Sequence, residues 1–157
     1  MKTIFLTFLF CILFCFSAFS QEAEQIDSFG DGITCEDYLA RMDAVINQAH
    51  NNLSSNIFVL IYEGKQLKYN RKNKTELIFP HYGLANAKIR SVKEYLSLRN
   101  APAERFVFVK AGFREEFMVE IWLVPAGAIP PKSTPTLTKM RYRKGKAVGF
   151  CIGCCEG

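Results

Sequence analysis

Histidine, tryptophan and long apolar stretches are scarce in this chain of 157 residues. It has two His and one Trp. His50 and His81 lie far apart and each near an element end, so neither has a partner at catalytic or metal-ligand spacing. No nucleophile elbow, phosphate-binding glycine loop, dinucleotide fingerprint or His-Glu-x-x-His occurs. Arg114-Glu115-Glu116 has no neighbouring His and fits charged turn chemistry better than acid–base work. With no nucleophile–base pair in view, an enzyme is the least supported class, and no cofactor is expected. Heptads, a collagen period and internal repeats are also missing. At 49% hydrophobic and 13% aromatic the chain is too apolar for disorder, and it is too short for two domains with separate cores.

Beyond residue 20 no stretch is long and apolar enough to span a membrane. The first twenty residues differ. Lys2 supplies one positive charge, residues 4–19 are almost wholly apolar, and six of the 14 Phe sit there. Ser17-Ala18-Phe19-Ser20 then makes a small-x-small exit. This is the pattern of a secretory signal peptide over 1–20. Its apolar run is shorter than the roughly 20 residues a spanning helix needs, so cleavage is expected rather than anchoring. Cys11 and Cys15 each follow Phe, which does not fit lipidation. The expectation is an exported domain, periplasmic or extracellular, with no integral membrane segment. The formal charge of +5 falls by one on cleavage.

Four cysteines remain: Cys35, Cys151, Cys154 and Cys155. In an oxidising compartment they favour disulfides, with three possible pairings. Cys154 and Cys155 are neighbours, and a bridge between neighbours is strained. A bridge from Cys35 to one of the three terminal cysteines is therefore expected, with Cys151–Cys154 or Cys151–Cys155 open for the rest. Cys-x-x-Cys-Cys can also chelate zinc or copper, but it lacks a nearby His or second Cys pair, so no metal is expected. A metal or redox protein using the C-terminal cysteines stays open as an alternative.

The remaining pattern is that of one α/β domain. Residues 21–33 are polar and suggest a flexible N-terminal arm. Thr34 can cap a helix over 35–50, whose stripe is Leu39, Met42, Ile46 and Ala49. Residues 56–62 form a short β-branched and aromatic run, the signature of a central strand buried on both faces. Residues 65–80 are polar and basic, a surface excursion with a short edge strand at 77–79. Ala85, Ile89, Val92 and Leu96 mark a second helix over 83–98. Strands are expected at 105–111 and 116–124, joined by a tight turn at 112–115 into an antiparallel hairpin. Four of the six Pro then fall within 125–135 as a stiff connector. Residues 136–146 hold Lys139, Arg141, Arg143, Lys144 and Lys146 and no acid. The expected architecture is an α+β sandwich, two helices on one face of a small mixed sheet, in a domain over 34–125. Residues 126–157 would be a Pro-rich connector and a basic, Cys-containing arm packed on that domain.

Several of these segments also carry a family likeness. Leu84, Tyr95-Leu96, Pro102-Ala103-Glu104-Arg105, Phe106, Gly112 and Val119-Glu120-Ile121 fall at the spacing of one motif set. On these residues the chain resembles the OmpA-like C-terminal domain family over about 35–124. The resemblance implies a β-α-β-α-β-β domain of the periplasm that binds peptidoglycan. Two departures bear on function. The family grips diaminopimelate with an Arg on its second helix and an Asp after the buried strand. Here Lys88 takes the Arg position and Glu63-Gly64-Lys65 follows the strand. Lys is a poorer grip than Arg on a carboxylate.

The expected function is a non-enzymatic binding module of the envelope. Lys88, Arg90 and Lys93 on the second helix, with Lys65, Arg71 and Lys72 of the basic loop, would contact peptidoglycan or another anionic envelope polymer. Nucleic acid is not an expected partner. A structural or protein-interaction domain is the alternative, presenting Phe113, Phe117 and Trp122 to a protein partner.

Overall fold

A computed structural model describes residues 21–69 and 75–152. The expected signal peptide, Arg71 and Lys72 of the basic loop, and Cys154 and Cys155 lie outside these residues. The elements in chain order are β1 (Glu24–Gly30), α1 (Cys35–Asn51), β2 (Ser55–Tyr69), β3 (Thr75–Ile78), α2 (Leu84–Leu98), a single 3₁₀ turn (Ala103–Arg105), β4 (Phe106–Glu116) and β5 (Met118–Pro125). Together they make an α+β fold of two helices and five strands.

β2 is the centre of the sheet. It pairs antiparallel with β5 from Ser55↔Pro125 to Tyr62↔Met118. On its other side it pairs parallel with β4 from Ile57↔Phe106 to Lys65↔Glu116. Its far end, Gln66 to Tyr69, pairs with β3. β1 adds to the outside of β5. The sheet is therefore mixed, in the order β1-β5-β2-β4, with β3 on the extension of β2.

Two sequence expectations are corrected. The segment read as a flexible N-terminal arm contains β1. Only Phe29 of that strand is buried, so hydrophobic periodicity carries no signal for it. The backbone ladder to β5 holds it instead, with an irregularity between Gln25 and Asp27 of the kind that blunts sheet edges. Second, β4 and β5 do not form a hairpin but flank β2 on opposite sides. Gly112 has φ of 97° and marks a register shift within β4 rather than a chain reversal. The chain reverses later, around Phe117, and crosses β2 at Gly64. A Cβ at Gly64 would lie 2.1 Å from the Glu116 carbonyl carbon, so only a bare backbone permits the crossing.

The helices form as their capping and stripes predict. The Thr34 side-chain oxygen accepts from the Asp37 N–H at 3.1 Å. Tyr38, Met42, Val45, Ile46 and Ala49 of α1 and Leu84, Ala85, Val92, Tyr95 and Leu96 of α2 bury one stripe each. Both stripes meet Ile57, Val59 and Ile61 of β2 in one apolar cluster. At the end of α1 the Arg105 guanidinium donates to the carbonyls of Ala49, Asn52 and Ser55. That satisfies backbone acceptors which a helix end leaves open, and places positive charge at the negative end of the dipole.

The opposite face of β2 carries Phe58, Leu60 and Tyr62, and no helix covers it. Leu60 and Tyr62 are nonetheless fully buried. The Pro-rich connector lies here. It starts where the Ala126 N–H donates to the Ser54 carbonyl and reaches the Tyr62 hydroxyl, which accepts from the Thr134 N–H at 3.1 Å. The connector first turns, with Gly127 at φ of 82° and the Ala128 N–H donating to the Pro125 carbonyl, and then runs back along β2 toward Tyr62.

Candidate binding surface

Lys88 is 6% exposed, which removes it from the surface contact that the sequence reading gave it. Its Nζ lies 4.2 Å from the centre of the Phe150 ring and 5.3 Å from that of Phe117. It donates to the Gly149 carbonyl at 3.3 Å and pairs with Asp31 at 3.7 Å. Burial lowers its pKa, against the opposing pull of Asp31. The cover is the returning C-terminal arm. The Phe150 N–H donates to Ser91 Oγ at 2.8 Å, and the Phe150 ring stacks on Tyr38 at 4.4 Å. Cys151 is disulfide-bonded to Cys35 across a sequence separation of 116, with the Cα atoms 5.9 Å apart. A helix stripe cannot reveal a cover that arrives some sixty residues later.

That bridge settles which terminal cysteine meets Cys35. It also takes Cys151 out of any Cys-x-x-Cys-Cys chelate and out of a Cys151–Cys154 or Cys151–Cys155 pair. Among the described residues no group of three His, Cys, Asp or Glu is placed to hold a metal ion.

The other predicted cations fall in two places. Arg90 and Lys93 are exposed and line a shallow groove of about 580 Å³ along α2, with Asn86, Ile89, Glu94 and Ser97. Lys93 sits 5.4 Å over the Phe108 ring of β4. Lys65 instead lines a groove of about 440 Å³ with Phe79, Glu115, Leu137, Lys139, Met140 and Arg141. The single surface expected from sequence is thus two grooves, each with its own set of cations.

A third cleft, of about 370 Å³, opens beside the middle of β2 and the later part of β4, at the start of α2. Glu63 is its buried acid. Glu63 Oε1 accepts from the Ala85 N–H at 2.8 Å and Oε2 accepts from the Tyr142 hydroxyl. The N-cap of α2 is Gly83, with no side-chain cap and no acid in the first turn. Glu63 therefore supplies both the acceptor and the negative charge that the helix start lacks. Tyr142 meets Tyr82 edge to face at 5.4 Å. Burial, then the bond to Glu63, raises the Tyr142 pKa. Sequence reasoning missed the Glu63–Tyr142 pair. Its only trace is a carboxylate directly after an apolar strand, where it must find a donor or leave the core.

The arm itself is tethered at intervals. The Thr136 and Leu137 N–H groups donate to the Phe113 carbonyl, and the Arg143 N–H donates to the Pro80 carbonyl. Tyr142 holds Glu63, and residues 149–151 close on α1 and α2. Between these points Lys139, Arg141, Arg143, Lys144 and Lys146 are all exposed. Among the described residues none of the five enters an ion pair. The result is a tethered track of outward cations.

Comparisons with protein-family models, with curated proteins and with solved structures found no match to this chain.

Proposed function

We propose that this chain is an exported, non-enzymatic binding module of the cell envelope that contacts an anionic polymer, peptidoglycan or another. The observation that carries the reading is the tethered arm with five outward cations that make no ion pair among the described residues. Such a run of exposed like charge raises the local positive potential and draws anions to it. Arg90 and Lys93 on α2 extend the same charge along a second groove. The disulfide and the lack of a helix able to cross a membrane among the described residues fit export.

Element order supports the likeness to OmpA-like domains. With β3 set aside as an extension of β2, the order is β-α-β-α-β-β, and β1 supplies the first strand that sequence alone did not reveal. The family's diaminopimelate grip does not carry over, because Lys88 is engaged by Asp31 and covered by Phe150. Contact would run along the arm and be electrostatic. The protein-interaction alternative loses one of its aromatics, since Phe117 is 1% exposed and lies in the core.

Co-sedimentation with purified peptidoglycan tests the reading. Binding should be present at low salt and fall as the Debye length shortens from about 10 Å at 0.1 M. The triple variant Lys139→Ala, Arg141→Ala, Arg143→Ala should lose it. Failure to co-sediment even at low salt overturns the proposal.

A further inference from the structure

Exposed apolar side chains interleave with the arm's cations at one rim of the molecule. Leu77 is 42% exposed, Phe79 39% and Tyr82 80%, all within six residues of chain. Leu77 and Phe79 are two residues apart, so an extended backbone turns them the same way. The arm runs beside them. Phe79 lines one groove with Lys139, Met140 and Arg141. His81 bridges to Arg143, and Tyr82 packs on Tyr142. Lys65 lies 5.6 Å over the Phe79 ring. Among the described residues Glu115 lies 4.0 Å from Lys65, and Glu116 and Glu76 are exposed nearby in the chain. The cations lining this groove are Lys65, Lys139 and Arg141, with Arg143 beside it at the bridge to His81.

We infer that this rim docks the protein on the surface of an anionic lipid bilayer. A wall polymer of sugars and peptides draws on cations and can stack a sugar face on Phe79 or Tyr82, but it gains little from an exposed Leu77. A headgroup layer takes both, since apolar side chains enter the acyl boundary while Lys and Arg meet lipid phosphates. Tyr82 fits the headgroup level, where one end of a ring is apolar and the other wet. Because the arm is tethered at Phe113, Glu63 and Pro80, the cations meet the bilayer as a fixed array. This inference does not rest on polymer binding; it draws on the same arm cations, so the two occupants compete for one surface and the vesicle and peptidoglycan arms of the test separate them.

The test is sedimentation of the mature chain with vesicles of phosphatidylcholine alone and of phosphatidylcholine with phosphatidylglycerol in equal parts. Binding to the mixed vesicles alone, falling with salt, is expected. Leu77→Ser with Phe79→Ser should weaken it by about tenfold, from lost apolar burial. Lys139→Glu with Arg141→Glu should weaken it by more than about tenfold. All four positions are at the surface, and unchanged thermal melting of the variants checks that the fold is intact. Equal binding to neutral vesicles overturns the inference. So does binding that ignores the Leu77 and Phe79 changes, which would mean adsorption by charge alone. Sedimentation with peptidoglycan but with neither vesicle also overturns it, while leaving the polymer reading standing.

Discussion

The two faces of the sheet bury neighbouring residues of one strand by different means. On one face Ile57, Val59 and Ile61 meet the stripes of α1 and α2 in a continuous apolar cluster. On the other, Leu60 and Tyr62 are covered without a helix, beside Phe58, Val109, Ala111, Met118 and Trp122. There the Arg114 guanidinium lies 3.6 Å over the Tyr62 ring and pairs with Glu120 at 2.8 Å. Arg114 also donates to Thr134 Oγ1 at 2.6 Å, fixing the connector. A proline-rich strap brings little apolar area, but it loses less conformational freedom on ordering than an ordinary chain. A few polar bonds then suffice to hold it. The lesson is that a second layer can be built from stiffness and bonds at its ends instead of from a hydrophobic stripe.

The largest effects should fall on the helix face. Ile121 of β5 is fully buried in the helix-side cluster, beneath packed helices that cannot easily move into a void. Ile121→Ala is expected to cost about 4 kcal/mol, and Leu60→Ala on the strap face about 2 to 3 kcal/mol, because the strap can settle inward. Urea unfolding of the two variants makes the comparison. Equal losses would mean that the strap packs as rigidly as the helices do.

Next comes the latch where the arm, having left the strap face, closes on the helix side. Cys35→Ser opens a loop of 116 residues. The loss should be about 3 kcal/mol, less than the chain-entropy limit of about 4 to 5 kcal/mol for so long a loop. The strap should be untouched, since Thr134 is held by Tyr62 and Arg114 independently of the disulfide. Brief trypsin treatment of the variant should therefore cut at Lys144 and Lys146 well before Lys132. Early cutting at Lys132 would show that strap and arm come away as one unit.

Much of the helix face was legible from sequence, and much of the strap face was not. Period and capping located α1, α2 and the buried core of β2, because each buries a stripe of its own residues. The position of Cys35 and the terminal cysteines foretold the clasp. β1 was invisible because an edge strand with one buried residue has no period. The crossing at Gly64 was invisible because a lone glycine looks the same in a turn as under another strand. Lys88 shows the limit for the candidate surface. Its place on α2 reads as a surface cation, and only the distant Gly149 and Phe150 reveal it as buried. The arm's five cations are exposed, and sequence showed only their run without an acid.

The smallest expected effect lies where the arm crosses the cleft. Tyr142→Phe removes the donor to Glu63 Oε2 while leaving the Ala85 N–H on Oε1. The loss at neutral pH should be about 1 kcal/mol, as for one partly exposed hydrogen bond. Its pH dependence identifies the group. Burial first, and Glu63 second, hold the Tyr142 pKa above its unfolded value of 10.0. A raised folded pKa means that the folded chain keeps the proton longer. Its stabilisation is thus complete below about pH 10 and fades as pH rises through the folded value. Lys88 has the opposite sign. Burial lowers its pKa below 10.5, so the cost of its buried charge is relieved as pH rises toward the unfolded value. Both changes occur in the alkaline range, and only Tyr142→Phe separates them. Guanidinium unfolding of wild type and variant at neutral pH and above pH 10 should show the difference between them shrinking. A constant difference would mean that the Tyr142 proton does not hold the arm at Glu63, and that its backbone tethers at Phe113 and Pro80 and the latch at Cys35 set its position.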